Sequence, residues 1–297
     1  MTKLFNLATL IFCLLMVASC QKIVEEDVNG NEEEQGQKSL ITFKISQIEQ
    51  IPFSSIEYSS RSTDISELCS HIYLAVYDNG GKRLQYKSQT SSDKDFGKVS
   101  ISLSNGTYRV VILAYNSKDN PTATDSEKIL FGNNGKMSDT FLWSDNITVE
   151  SKLEKDVSMH RVVAMFRLIT TDNIPANVAK MKFYYTGGSS TLNALTGKGN
   201  ANSKQEENIT VLETGKPGTF EVYTFPKDDE NLLNMEVTAL DANGQTVASK
   251  TFEDFPISRN KITQYKGAFF TGGTSGSGDT SFKLTTDDEW TIIDKSY

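Results

Sequence analysis

Disulfide chemistry is the first thing this sequence withholds. Of its three cysteines, Cys13 falls inside an apolar leader and Cys20 directly after it, which leaves Cys69 alone in the body of the chain. One thiol builds no intrachain disulfide framework, and a lone Cys of this kind reads as a small buried hydrophobe. Histidine is nearly as scarce. His71 and His160 stand far apart among strand-forming residues, so neither zinc-ligand spacing nor a nucleophile–base pattern can be drawn. No G-x-S-x-G elbow occurs. Gly197-Lys198 resembles the end of a phosphate loop, but Leu192 stands where the first glycine is required and Gly199 where Ser or Thr should follow. Positive charge is in deficit too. The net charge is -8 and no Lys/Arg cluster occurs, which argues against nucleic acid as a partner. Beyond the leader no apolar run approaches the length of a membrane helix. No catalytic residue, metal site or cofactor is expected from what remains.

What the sequence does have begins with that leader. A single early Lys3 precedes an apolar run over residues 4–17, broken only by Asn6 and Thr9, and Val17-Ala18-Ser19 lie just before Cys20. These are the parts of a secretory signal peptide spanning 1–19, and the run is short for a permanent bilayer span. A Cys directly after the cleavage site is similar to a bacterial lipobox. In such signals the sulfur takes diacylglycerol, the signal is cut, and the freed amine is acylated. Cys20 is therefore the candidate lipidation site; the bland alternative is an ordinary signal followed by a chance Cys. Two or more acyl chains hold a protein firmly at a membrane where one does not. Residues 20–38 are acidic and poor in apolar side chains, too poor to offset their ordering entropy, and read as a flexible tether. The run Glu25-Glu26-Asp27 is either a charged linker or similar to the surface-export signals of Bacteroides lipoproteins.

From Ser39 the hydrophobic pattern has period two, the spacing of strands with one face buried. Residues 40–48, 71–77, 82–86 and 98–103 read as strands, with a short helix over 64–69. The sequence Asp78-Asn79-Gly80-Gly81 is hairpin chemistry, because Asn and Gly accept positive φ. Residues 107–115 are apolar on both faces apart from Arg109, which marks a central strand covered on both sides. Residues 116–140 read as a long polar excursion, and 147–149 with 153–159 close the first half. The second half opens on 161–170, continues with 181–185, and then carries a second excursion over 186–207 that reads as exposed. Further strands fall at 220–225, 235–240, 247–252 and 261–270. A turn over 241–245 joins two of them, and a Gly/Ser/Thr linker over 271–280 precedes short strands at 282–284 and 290–293. Many short strands with turn signals, and no fixed short repeat, point to an all-β fold of two tandem β-sandwiches. The expected division is 39–158 and 159–297.

Two acidic clusters, Asp228-Asp229-Glu230 and Asp287-Asp288-Glu289, have the residue types of a glycosidase pair or a calcium loop. Both sit in turn-like segments without calcium-loop spacing, so solvated turns are the simpler reading. Trp143 and Trp290 could offer a sugar-stacking face, although large aromatics in a sandwich belong mostly to the core.

Several stretches together resemble the fimbrillin-like proteins of Bacteroides and Porphyromonas relatives, which include pilus subunits and anchors. They are the lipobox Val17-Ala18-Ser19-Cys20, HIYLAVYDNGGK from His71 and SNGTYRVVILAYN from Ser104. In the second half they are HRVVAMFRL from His160 and NKITQYKGAFF from Asn260. The resemblance implies two transthyretin-like, Greek-key sandwiches, export as an outer-membrane lipoprotein, and other pilus subunits as partners. It also implies a maturation in which a protease cuts after an Arg or Lys beyond the first strand. That strand then leaves with its lipid, and a neighbour's strand fills the groove. Arg61, in a Ser-rich stretch after strand 40–48, matches the cut position; the alternative is an ordinary loop Arg. Anchor subunits of that family keep their lipid and need no cut. The C-terminal segment, with Phe282, Leu284, Trp290 and Ile292, suits either a donated strand or a native edge strand. A surface lipoprotein that binds glycan through exposed aromatics is the alternative function.

Overall fold

Period-two patterning is realised as strands almost throughout. The computed structural model describes residues 38–48, 65–117, 119–132, 137–202, 204–229, 231–271, 282–285 and 291–296. In the first half these form β1 (Ser39–Ile48), α1 (Ile65–Leu68), β2 (His71–Tyr77), β3 (Arg83–Thr90), β4 (Lys98–Leu103), β5 (Gly106–Tyr115), β6 (Ile129–Leu130), β7 (Thr140–Val149) and β8 (Leu153–Arg161). The second half holds β9 (Ala164–Thr170), β10 (Lys180–Thr186), β11 (Thr191–Asn193), β12 (Lys198–Gly199), β13 (Gln205–Thr210), β14 (Thr219–Thr224), β15 (Asn231–Leu240), β16 (Thr246–Ile257) and β17 (Lys261–Gly267). β18 (Phe282–Thr285) and β19 (Thr291–Ser296) follow.

The first half is one seven-stranded sheet in the order β3-β2-β5-β7-β8-β1-β4, folded over itself. The fold falls between β7 and β8, which pair only through Phe141 with Arg161 and Leu142 with His160. Ile72, Leu74 and Val76 on one side then meet Ile41, Phe43 and Val99 on the other, and this is the core. The second half repeats the connectivity as two sheets, β13-β10-β15-β16 and β14-β9-β17-β19-β18. In each half the first strand lies between an antiparallel and a parallel neighbour. These are β4 and β8 around β1, and β14 and β17 around β9. The hairpin strands also correspond, β3-β2-β5-β7 matching β13-β10-β15-β16. The second half alone adds β19, parallel to β17, with β18 antiparallel at the outer end.

β5 is the central strand its composition implies, paired with β2 on one side and β7 on the other. Val110, Ile112 and Ala114 enter the sandwich core, while Val111, Leu113 and Tyr115 on the opposite face enter a further apolar cluster. That cluster corrects the reading of residues 186–207 as exposed. Ser189, Ser190, Thr191, Leu192, Ala194 and Gln205 are all buried. The first excursion does the same: Ala123, Ile129 and Phe131 join Leu192, Ala194 and Phe225 in one cluster. Polar composition misled because the hydroxyls are satisfied inside. Ser189 donates from Oγ to the Thr191 carbonyl at 2.8 Å, and its N–H reaches Thr224 Oγ1 at 3.0 Å. The excursions then pair with each other, β6 with β11, through Leu130 with Thr191 and Ile129 with Leu192.

Candidate functional site: the slot of the first strand

β1 combines two faces and two edges. Ile41 and Phe43 are fully buried on the core side, and Ile45 continues that face. A bulge between Ile45 and Gln47 shifts the register by one, which brings Ile48 to the same core. On the other face Thr42 is buried and its hydroxyl meets Ser100 Oγ at 2.8 Å. Along one edge β1 pairs with β4 from Ser39 with Leu103 to Lys44 with Lys98, and along the other with β8 from Ile41 with Leu153 to Ile48 with Met159. The Ile45 N–H extends the ladder to the Gly97 carbonyl at 2.9 Å. Gly97 has φ +92 and would place a Cβ 3.1 Å from Ile65 Cγ2, so α1 can close down on this corner only over a glycine.

Removing β1 would leave a slot with an apolar floor and backbone groups exposed along both rails. Burial of Ile41 and Phe43 contributes about 1.5–3 kcal/mol each, which any replacement strand would have to match. The arrangement offers shape, apolar surface and a hydrogen-bond register. Position 61 falls in the connection between β1 and α1. Arg61 itself lies outside the described residues, as do Cys20, the leader, the tether 20–37, Trp290, Glu230 and the cluster 287–289.

The remaining sequence candidates take structural places. Trp143 is half-buried on the core, its ring 5.6 Å from that of Phe43, with the Lys155 ammonium 5.1 Å from its centre. It therefore packs against β1. His71 stacks on Tyr115 at 5.5 Å and meets Ser70 Oγ through Nδ1 at 2.9 Å. Cys69 is buried, as its lone position suggested, and burial followed by the nearby Asp139 charge pushes its thiol up to about 12. Lys198 leads into a strand pair, not a helix, so no phosphate cradle forms. Asp228 and Asp229 line an open polar cleft of about 390 Å³ together with His160, Lys198 and Arg259, and Lys198 Nζ lies 3.2 Å from Asp229.

Sequence reasoning missed the junction behind the slot. Arg161, the last residue of β8, is fully buried. Its Nε and Nη2 donate to the two oxygens of Asp139 at 2.6 and 2.7 Å, and its Nη1 donates to Asn260 Oδ1 at 2.7 Å. Its guanidinium also lies 4.8 Å from the centre of the Phe141 ring. Arg259 Nη1 donates to the Arg161 carbonyl at 3.0 Å, and the Asn260 N–H reaches the Val163 carbonyl at 2.9 Å. One side chain thus ties β8, the start of β7 and the β16–β17 turn together. The available signal was a lone Arg opening an apolar strand run.

A second clasp holds the exit from β17. Asp172 accepts the N–H groups of Phe269, Phe270 and Thr271 at 2.8, 2.6 and 2.7 Å. Burial pushes its carboxyl up, but these donors together outweigh burial and hold it below the usual aspartate range.

No match is found among proteins of curated function. Among solved structures, the fold is similar to a candidate adhesin from Bacteroides ovatus. Identity is 14%, covering 77% of this chain and 88% of that one, with a TM-score of 0.48. It is also similar to a fimbrial assembly protein from Parabacteroides distasonis (12% identity, 87% and 98% covered, TM-score 0.40). A third is the fimbrial anchor protein from Porphyromonas gingivalis (9% identity, 72% and 82% covered, TM-score 0.40). Residues 34–295 match a family of unknown function, DUF6562, and the chain belongs to that family.

Proposed function

We propose that this chain is a structural subunit or anchor of a bacterial surface fimbria, exported as a lipoprotein through Cys20 and joined to its neighbours by exchange of a β-strand. The two halves would be transthyretin-like sandwiches, and no enzymatic reaction is assigned to them. The observation that carries the reading is the position of β1. It is the N-terminal strand of the body, it lies between two strands instead of at an edge, and the connection after it carries Arg61. Loss of such a strand leaves two rails and an apolar floor, which is what strand addition requires.

A donor is also at hand. Thr42-Phe43-Lys44-Ile45-Ser46 is echoed in sequence by Ser281-Phe282-Lys283-Leu284-Thr285, in the order hydroxyl, Phe, Lys, aliphatic, hydroxyl. β18, which carries the second copy of this pattern, has a single neighbour in its own sheet. Glycan capture loses its leading residue, since Trp143 packs on Phe43.

The test is the N-terminus and intact mass of the native protein from cells. A chain starting at Ser62 within a detergent-resistant ladder is the outcome expected of a stalk subunit. A lipidated Cys20 with no ladder fits an anchor and removes the cut at Arg61. An unlipidated, monomeric chain would overturn the reading.

A further inference from the structure

β4 has one ladder partner, β1, and stands at the end of its sheet. If β1 leaves, main-chain pairing no longer holds β4, and the slot would lose a rail at the moment it is needed. The other edge of β4 answers this. Gln85 Nε2 donates to the Ser102 carbonyl at 3.3 Å, Lys87 Nζ to the Ser100 carbonyl at 3.2 Å, and Gln89 Nε2 to the Lys98 carbonyl at 2.9 Å. These are alternate residues on both strands, taken in antiparallel order, so three side chains of β3 stand in for a main-chain ladder across the sandwich corner. Gln89 is also braced, accepting the Gly97 N–H at 3.2 Å and donating to the Asp95 carbonyl at 3.1 Å.

We propose that Gln85, Lys87 and Gln89 keep β4 standing when β1 departs and close its outer edge, so that an incoming strand of a second copy pairs on the inner edge alone. This rests on the strand-exchange reading of the same slot. An unguarded edge strand invites unplanned pairing, and here the outward carbonyls are already taken. The second half offers different side chains at these places. Where β3 offers Gln, Lys and Gln, the corresponding alternate positions of β13 are Gln205, Glu207 and Ile209. An ionised Glu has no proton to give a carbonyl, and Ile has no polar group. β9, continuous with β8 through residues 162 and 163, needs no such rail.

The test is spin labelling of the full chain with Cys13 and Cys20 changed to Ser, Cys69 being buried. One label pair at Ser88→Cys and Ser102→Cys reports the β3–β4 distance; a control pair at Ser88→Cys and Thr148→Cys reports the rest of the sandwich. β1 is displaced by Phe43→Asp. With the ladder intact the β3–β4 distance distribution stays narrow. With Gln85→Leu and Lys87→Met added it broadens at least twofold while the control pair stays narrow, and Lys87→Arg in place of Lys87→Met restores part of the order. Broadening with the ladder intact, or none once it is removed, overturns the proposal. If Phe43→Asp broadens the control pair, Thr42→Pro displaces β1 without a buried charge and the same two outcomes are read there. The result does not depend on cleavage in cells, so an uncut Arg61 would remove the maturation and leave the ladder to be judged on its own distances.

Discussion

β1 and β9 hold the same place in two copies of one topology, yet they are invested very differently. Among the described residues, Phe43 in β1 has Trp143 as its aromatic neighbour, at 5.6 Å. Phe166 in β9 is ringed by Phe255, Phe252, Tyr265 and Phe183 at 5.1, 5.6, 5.7 and 6.3 Å. β9 is also held at its N-terminal end by the junction around Arg161, whereas β1 follows a stretch of acidic chain. Among the described residues, the same connectivity thus carries one strand whose Phe is ringed by aromatics and one whose Phe is not. On the strand-exchange proposal, topology sets where a slot could open, and packing sets which of the two would.

The sharpest way to break this comparison is at the junction. Arg161→Leu removes a buried cation and strands Asp139, an effect of roughly 3–5 kcal/mol. Urea unfolding that is a single transition in the parent should split into two. Next comes the matched pair Phe43→Ala and Phe166→Ala, each costing about 3–5 kcal/mol as a large-to-small core change. Only the first should speed proteolysis within β1, as read by mass spectrometry of limited digests. Gly187→Ala tests the second half alone. At φ +97 a Cβ would run into the Leu232 carbonyl oxygen, and a loss of roughly 1–3 kcal/mol should appear in thermal melts.

Acid should act at the exit of β17 in preference to the β1 slot. Because the Asp172 carboxyl is depressed in the folded state, its contribution is present above the ordinary aspartate value of about 4 and is lost as pH falls through the lower, folded value. Amide exchange of residues 269–271 should rise in that acidic window, and Asp172→Asn should flatten the dependence. Leu212→Ser is the control. At 90% exposure it should shift stability by less than about 0.5 kcal/mol in either half.

Strand identity was readable wherever one face is buried. Residues 71–77 and 98–103 are the strands their alternation implies, and the turns follow their chemistry. Asp78 Oδ1 accepts from Gly80 and Lys82, Asp241 Oδ1 accepts from Asn243 and Gln245, and Gly81 and Gly244 take positive φ. The return strand 82–86 continues to Thr90, because Lys87 and Gln89 bond across the corner and their polarity hides that from a hydrophobic pattern. The run 161–170 is broken between Arg161 and Ala164, a step with no glycine or proline to announce it. The buried excursions were illegible for a related reason, since Ser189 and Thr191 satisfy each other and a local window sees only two polar residues. Of the candidate site, β1 was legible as a strand, but its central place depends on β8, far along the chain.

That last separation has a consequence for synthesis and export. Ile41 pairs with Leu153, roughly 110 residues later, and contacts so distant in sequence make for slow folding. The first described strand to emerge from a ribosome thus waits for one of its two partners until the first half is complete. Until β8 arrives, β1 can satisfy only its β4 edge, and its other row of backbone groups stays open.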